Sequence, residues 1–308
     1  MELPMKPESA PGRDQLRRFL FEGSPVRGHW VHLDEAWQQL RAHRPYPALV
    51  EELLGQAVAA CALLAATLKF RGTLTFQLQG DGIVNLLVAQ CTDDHRVRAV
   101  ARYDEHALAG LPAASPPAQI FRQLTGSGGR ITVTVESDEK SARYQGVVPL
   151  SGDSLAQSLE AYFASSEQLP TQLVLAADAT HAAGMLVQKL PEAESAASDA
   201  WQEAQWGLQR LGRRELLGQS AQANLAAIFP GHDVRLFGAV PVTFECRCNP
   251  ARVAGVLRAL GSEEIREVLR EQGAVTVTCE FCQRPYSFDS IDIEALFADS
   301  TDGPTAIH

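Results

Sequence analysis

The spacing of apolar positions divides the chain into segments of different period. Residues 14–70 read mostly helical. "DEAWQQLRA" (34–42) opens on acidic residues suited to a helix N-terminus. "YPALVEELLGQAVAACALLAATLKF" (46–70) is apolar at helical spacing and, after Gln56, apolar almost all round. A helix of that kind belongs inside a domain. Its most apolar part, 57–68, is shorter than the ~20 residues that span a bilayer. The period then changes to alternation. "GTLTFQLQGDGIVNLLVAQC" (72–91) predicts a hairpin about Gly80, Asp81 and Gly82. "RVRAVARY" (96–103), "GSGGRITVTVES" (126–137), "ARYQGVVPL" (142–150), "QLVLAAD" (172–178) and "AAGMLVQKL" (182–190) add strands. "SLAQSLEAYFASSEQ" (154–168) is a helix with Leu155, Leu159, Tyr162 and Phe163 on one side.

From Pro191 to Phe229 no strand signal remains. The segment reads as helix interrupted by Gly207, Gly212 and Gly218, each costing ~1 kcal/mol against alanine in a helix interior. Trp201, Trp206, Leu208, Leu211, Leu216 and Leu217 give it apolar surface. Taken alone it is a plain helical connector, able to pack on a neighbour or come loose. Beyond it, "PVTFECRC" is extended. Asn249–Pro250 is a helix start, followed by Val253, Val256, Leu257 and Leu260 at helical spacing and by Gly261. Ile265, Val268 and Leu269 mark a second helix ended by Gly273, and "AVTVTCEFCQRPYSF" reads as a hairpin. The pattern as a whole predicts an α+β fold: an N-terminal, mostly antiparallel sheet covered by helices (1–190), a helical linker (191–237), and a small C-terminal four-cysteine zinc-binding domain (238–308).

Composition narrows the function. The 308 residues are 45% hydrophobic and 21% charged, enough for a sizeable core. The net charge of −10 argues against a surface for phosphate backbones. Residues 239–308 hold six arginines against eleven acidic residues, so a nucleic-acid-binding zinc ribbon is disfavoured. The N-terminus lacks the apolar run of a secretory signal, and the expected location is the cytoplasm, where thiols stay reduced. No Walker A loop, G-x-S-x-G elbow or H-E-x-x-H pattern is present, so neither a nucleotide site nor an enzyme is expected. His29 and His32 lack an evident third ligand and read as surface histidines.

Four of the six cysteines form two tight pairs, "CRC" (246–248) and "CEFC" (279–282). In extended chain, Cys246 and Cys248 point the same way, and a C-x-x-C turn presents Cys279 and Cys282. Together they make a tetrahedral all-cysteine site for one zinc ion. A thioredoxin-like oxidoreductase is disfavoured, since its C-x-x-C opens a helix. Two roles stay open: an ion that only holds a small fold together, or thiolates that are also oxidisable. Cys61 and Cys91 lie in apolar contexts and read as core residues.

These motifs, with "LLAATLKFRGTLTFQLQGDG" (63–82), "RYQGVVPLSGDSLAQSLEAYFASSEQLPT" (143–171), "AAGMLVQKLP" (182–191) and "FECRCNPARV…CEFC" (244–282), resemble the 33-kilodalton heat shock protein family of redox-regulated holdase chaperones. The resemblance runs over almost the whole length. It implies one zinc on Cys246, Cys248, Cys279 and Cys282 in a reduced, inactive form. Under oxidant and unfolding stress it implies disulfides Cys246–Cys248 and Cys279–Cys282, release of zinc, and unfolding of the zinc domain and a metastable linker. Unfolded clients then bind without ATP, the active form is a homodimer, and clients pass to ATP-dependent foldase chaperones. Neither nucleic acid nor membrane is an implied partner. One departure stands out: Gln283 occupies a position where the family usually has glycine. If it requires positive φ, glutamine costs ~1 kcal/mol there.

Overall fold

The computed structural model describes residues 14–112, 115–137, 143–191 and 197–298. The chain divides into one compact unit through Glu245 and a second from Cys246. The change of unit falls later than 238, because Val240–Pro241 pairs with Gln15–Phe21 and Thr243–Phe244 runs parallel to Arg96–Tyr103.

The first unit holds two sheets with a helix between them. One sheet runs, in spatial order, Val234–Leu236, Gln15–Phe21, Val26–Leu33, Ala182–Lys189, Thr171–Ala177. The other runs Thr243–Phe244, Arg96–Tyr103, Val84–Thr92, Gly72–Gln79, Arg130–Ser137, Arg143–Pro149. Apart from Thr243–Phe244, all pairings are antiparallel. Alternation works as expected in Gly72–Gln79, where Leu74, Phe76 and Leu78 are buried and Thr75, Gln77 and Gln79 face outward.

Helix Ala48–Thr67 fills the space between the sheets. Its 20 residues make it long and apolar enough to cross a membrane, so length does not exclude a span. Burial accounts for it instead: 78% of its most apolar window lies inside the protein. Both faces of the helix need a sheet, which is why its apolar positions have no polar side. Cys61 and Cys91 are fully buried in this core, and burial pushes both thiols up, Cys91 to about 12.

The reading of 14–33 as mostly helical is corrected here. Gln15–Phe21 and Val26–Leu33 are paired strands. Their alternation is obscured because both faces of the sheet carry packed apolar residues. Leu16, Val31 and Leu33 face the long helix. Phe19, Phe21, Val26 and Trp30, with Met185 and Val187, face the helices of the 191–237 segment.

Those helices are Ala197–Arg210, Arg213–Gly218 and Ala221–Ile228. Ala204, Leu208, Leu216, Leu217, Leu225 and Ile228 are buried on the sheet, while Trp206 is 59% exposed. Gly207 allows the close approach of the chain end of this layer: a Cβ there would lie 2.6 Å from the Phe229 ring and 2.7 Å from the Ile228 carbonyl oxygen. Gly212 serves as the N-cap of Arg213–Gly218.

The second unit is small. Helices Pro250–Leu260 and Ser262–Gln272, hairpin Val275–Thr278/Pro285–Phe288 and helix Ser290–Ala298 enclose a core of Leu257, Ile265, Val275, Ile293 and Leu296. Only half of the apolar stripe on the first helix is used. Val253 and Leu257 are buried, whereas Val256 and Leu260 are more than half exposed.

Candidate metal centre

Cys246 and Cys248 lie just beyond the strand Thr243–Phe244, in chain without regular structure, not within a strand as the alternation suggests. What fixes them is the start of the next helix. The Asn249 side chain accepts from the Arg252 amide at 2.9 Å, and Pro250 occupies the first turn.

The other pair sits at the tip of the hairpin, as its sequence predicts. The Cys279 amide donates to the Arg284 carbonyl at 2.9 Å, and the Gln283 amide donates back to the Cys279 carbonyl at 2.8 Å. Closing so tight a turn puts Gln283 at φ 55, in the left-handed region. The expected glycine-type conformation is therefore present. Its side chain offsets part of the strain, since Nε2 donates to the Glu280 carbonyl at 3.0 Å.

The four sulfurs converge. Cys246 Sγ lies 3.7 Å from Cys279 Sγ, and Cys248 Sγ lies 3.3 Å from Cys282 Sγ. All four lie within 4.8 Å of one another. A tetrahedron of thiolates at a Zn–S distance of ~2.3 Å has edges of about 3.8 Å, so the spacing fits a four-coordinate ion. Among the described residues this is the one cluster of three or more potential ligands.

The four thiols are not equivalent. Burial pushes Cys246 up and Cys282 up to about 12. At Cys248 burial acts in the same direction, but hydrogen bonds from the Tyr286 hydroxyl and the neighbouring thiols outweigh it and hold the group at about 7. The Tyr286 hydroxyl donates to Cys248 Sγ at 3.1 Å. Sequence reasoning missed Tyr286. The signal was its place in the hairpin, where it pairs with Val277 and faces back toward the turn.

The family model described as Hsp33 protein matches residues 14–289 of this chain. The chain belongs to the Hsp33 family. Among its relatives, the 33 kDa chaperonin of Chromobacterium violaceum is 43% identical over 285 residues, covering 92% of this chain and 94% of that protein. The 33 kDa chaperonin of Nitrosococcus oceani is 40% identical over 292 residues, covering 95% and 97%. The crystal structure of the 33 kDa chaperonin (heat shock protein 33 homolog) from Thermotoga maritima matches this fold with a TM-score of 0.78 at 22% identity, covering 94% of this chain and all of that one. The Hsp33 fold is thus shared despite low identity, and in this Hsp33 chain four cysteines are placed to hold a metal ion.

The histidines are redistributed. His29 is not at the surface: it is 3% exposed. His32 is half-buried, with Nε2 2.8 Å from the Leu217 carbonyl. Neither belongs to a metal cluster among the described residues.

Proposed function

We propose that this protein is a redox-regulated, ATP-independent holdase chaperone of the cytoplasm and not an enzyme. When reduced it holds one zinc ion on Cys246, Cys248, Cys279 and Cys282 and is inactive. Oxidation activates it to bind unfolded proteins and prevent their aggregation. The observation that carries this reading is the convergence of four thiols within 4.8 Å in a unit whose core cluster, among the described residues, is small.

A core of that size does not sustain a fold of this length alone. Zinc, when bound, supplies a cross-link between the hairpin and the start of the first helix. The residues do the rest. Asn249 and the hairpin turn hold the two cysteine pairs in register, and Tyr286 orients Cys248. Oxidation converts the pairs Cys246–Cys248 and Cys279–Cys282 into disulfides. Each pair gives two electrons to a peroxide, which is reduced to water. No thiolate then remains as a ligand, and the unit loses its cross-link.

The chain works in three parts on this reading: a chaperone core over 1–190, a metastable linker over 191–237 and a redox-switch domain over 238–308. The linker helices bury Phe19, Phe21, Val26, Trp30, Met185 and Val187. Their release exposes a broad apolar sheet face of the kind that captures unfolded chains. The oxidised form pairs as a homodimer, and clients pass on to ATP-dependent foldases.

The test is light scattering from a chemically denatured client diluted into buffer. The zinc-loaded reduced protein is compared with protein treated with peroxide at mildly elevated temperature. Suppression by the oxidised sample alone, reversed by reductant, supports the switch. Equal behaviour of both samples makes the metal purely structural and removes the regulatory reading.

A further inference from the structure

Beyond the C-terminal end of helix Ala48–Thr67, one face of the first unit is left uncovered. Arg18 and His29 are direct partners across the strands Gln15–Phe21 and Val26–Leu33. They lie two residues from Leu16 and Val31, on the face that packs against the helix. With the helix ended, they form the floor of a cleft of about 880 Å³. Lys69 and Arg71, in the segment leaving the helix, line its walls, as do Asp93 and His95 in the turn before Arg96–Tyr103.

Two imidazole nitrogens at this cleft lack partners among the described residues. His29 is 3% exposed, yet its Nδ1 has no hydrogen-bond partner among the described residues. The Nδ1 of His95 is in the same state. Both nitrogens are sealed from solvent, so they line the floor of the cleft without reaching into it. Burial pushes the His29 imidazole down to about 4, with the neighbouring Arg27 and Arg18 charges acting the same way. At neutral pH the ring is therefore uncharged, with one N–H to donate. Lys69 and Arg71 are exposed and form no ion pair among the described residues. The Arg18 guanidinium lies over the Phe237 ring, 4.3 Å from its centre, which positions it without neutralising it. Three cations thus face one carboxylate, Asp93, in a chain whose net charge is −10.

We propose that this cleft binds a small anion carrying two or more phosphoryl groups, held by Arg18, Lys69 and Arg71. Guanidinium forks match phosphoryl oxygens, and a multiply charged ligand engages several cations at once. The cleft takes no part in the thiol chemistry, so this site stands or falls independently of the redox switch.

The test is isothermal titration calorimetry of the full-length, reduced, zinc-loaded protein with sodium pyrophosphate at physiological ionic strength. Saturable one-to-one binding is expected. Arg18→Gln and Arg71→Gln alter exposed side chains and should each weaken it about tenfold, the equivalent of ~1.4 kcal/mol. Arg214→Gln, an exposed arginine outside the cleft, should leave it unchanged. Tighter binding of ADP than of pyrophosphate identifies a nucleotide as the source of the phosphoryl groups. Equal binding identifies an inorganic polyphosphate, and either result sustains the site. Absence of saturable heat, equal binding of sulfate, or equal weakening by Arg214→Gln overturns the proposal.

Discussion

The Tyr286 hydroxyl donates a hydrogen bond to Cys248 Sγ across 3.1 Å. It singles out one sulfur of four. Against the upward push of burial, it helps to hold the Cys248 thiol at about 7, while Cys282 is pushed up to about 12. In the zinc-loaded reduced protein this donor draws electron density from the Cys248 sulfur and damps its nucleophilicity. Tyr286→Phe removes the donor and should speed alkylation of Cys248 by iodoacetamide at pH 7 roughly threefold, as read by peptide mass spectrometry. An unchanged rate would show that Tyr286 is mere packing.

Gln283 sits at φ 55 in the turn between Cys279 and the returning strand. Gln283→Gly relieves up to ~1 kcal/mol of backbone strain but gives up the side-chain bond to the Glu280 carbonyl. The backbone effect is the larger. The variant should hold zinc more tightly and release it later in a peroxide titration followed with a chromogenic chelator. Earlier release would mean that the glutamine amide, not the backbone angle, governs the turn.

Asn224 is fully buried in the helix Ala221–Ile228, and neither its side-chain oxygen nor its nitrogen has a partner among the described residues. Such a group costs ~1–3 kcal/mol. It weakens the cover that the linker helices place over the sheet. Asn224→Leu, with the same branching and no polar atoms, should stabilise that cover by a comparable amount. On the proposed function, more oxidant or a higher temperature would then be needed before aggregation is suppressed. An unchanged threshold in the light-scattering assay would separate linker stability from activation.

Gly207→Ala pushes the other way. The added methyl meets the Phe229 ring and the Ile228 carbonyl at less than 3 Å. Overpacking of this kind costs ~1–3 kcal/mol. Faster amide exchange in Ala221–Ile228, and partial holdase activity in the reduced protein, are the expected results. Full protection with no reduced-state activity would count against the release of this layer as the activating step.

Removal of metal by a strong chelator under reducing conditions should unfold the second unit and spare the first. A structural zinc contributes ~10–16 kcal/mol to folds of this type, and five buried core residues do not replace it. Amide protection in Val275–Thr278 should vanish while that of Gly72–Gln79 persists. Persistent protection in the hairpin would show that the small core suffices.

The convergence of the four thiols was legible in the chain because each pair is local. Cys246 and Cys248 precede a helix start, Cys279 and Cys282 sit at a hairpin tip, and short elements bring the pairs together. Sequence by itself also determined the central helix, since it is apolar almost all round after Gln56, and the strands that alternate, such as Gly72–Gln79. Three things were decided only by the tertiary structure. Gln15–Phe21 and Val26–Leu33 proved to be strands with apolar residues packed on both faces, which blurs the period-two signal that marks a strand. Helices Ala197–Arg210, Arg213–Gly218 and Ala221–Ile228 proved to be a cover for that sheet and Val234–Leu236 an edge strand of it, because apolar residues on an interrupted helix do not name the surface they pack against. His29 proved to be buried, with a nitrogen unpaired among the described residues, since a histidine's environment is built by elements far apart in the chain. Local geometry travels with the sequence; what faces what across a core depends on all the elements at once.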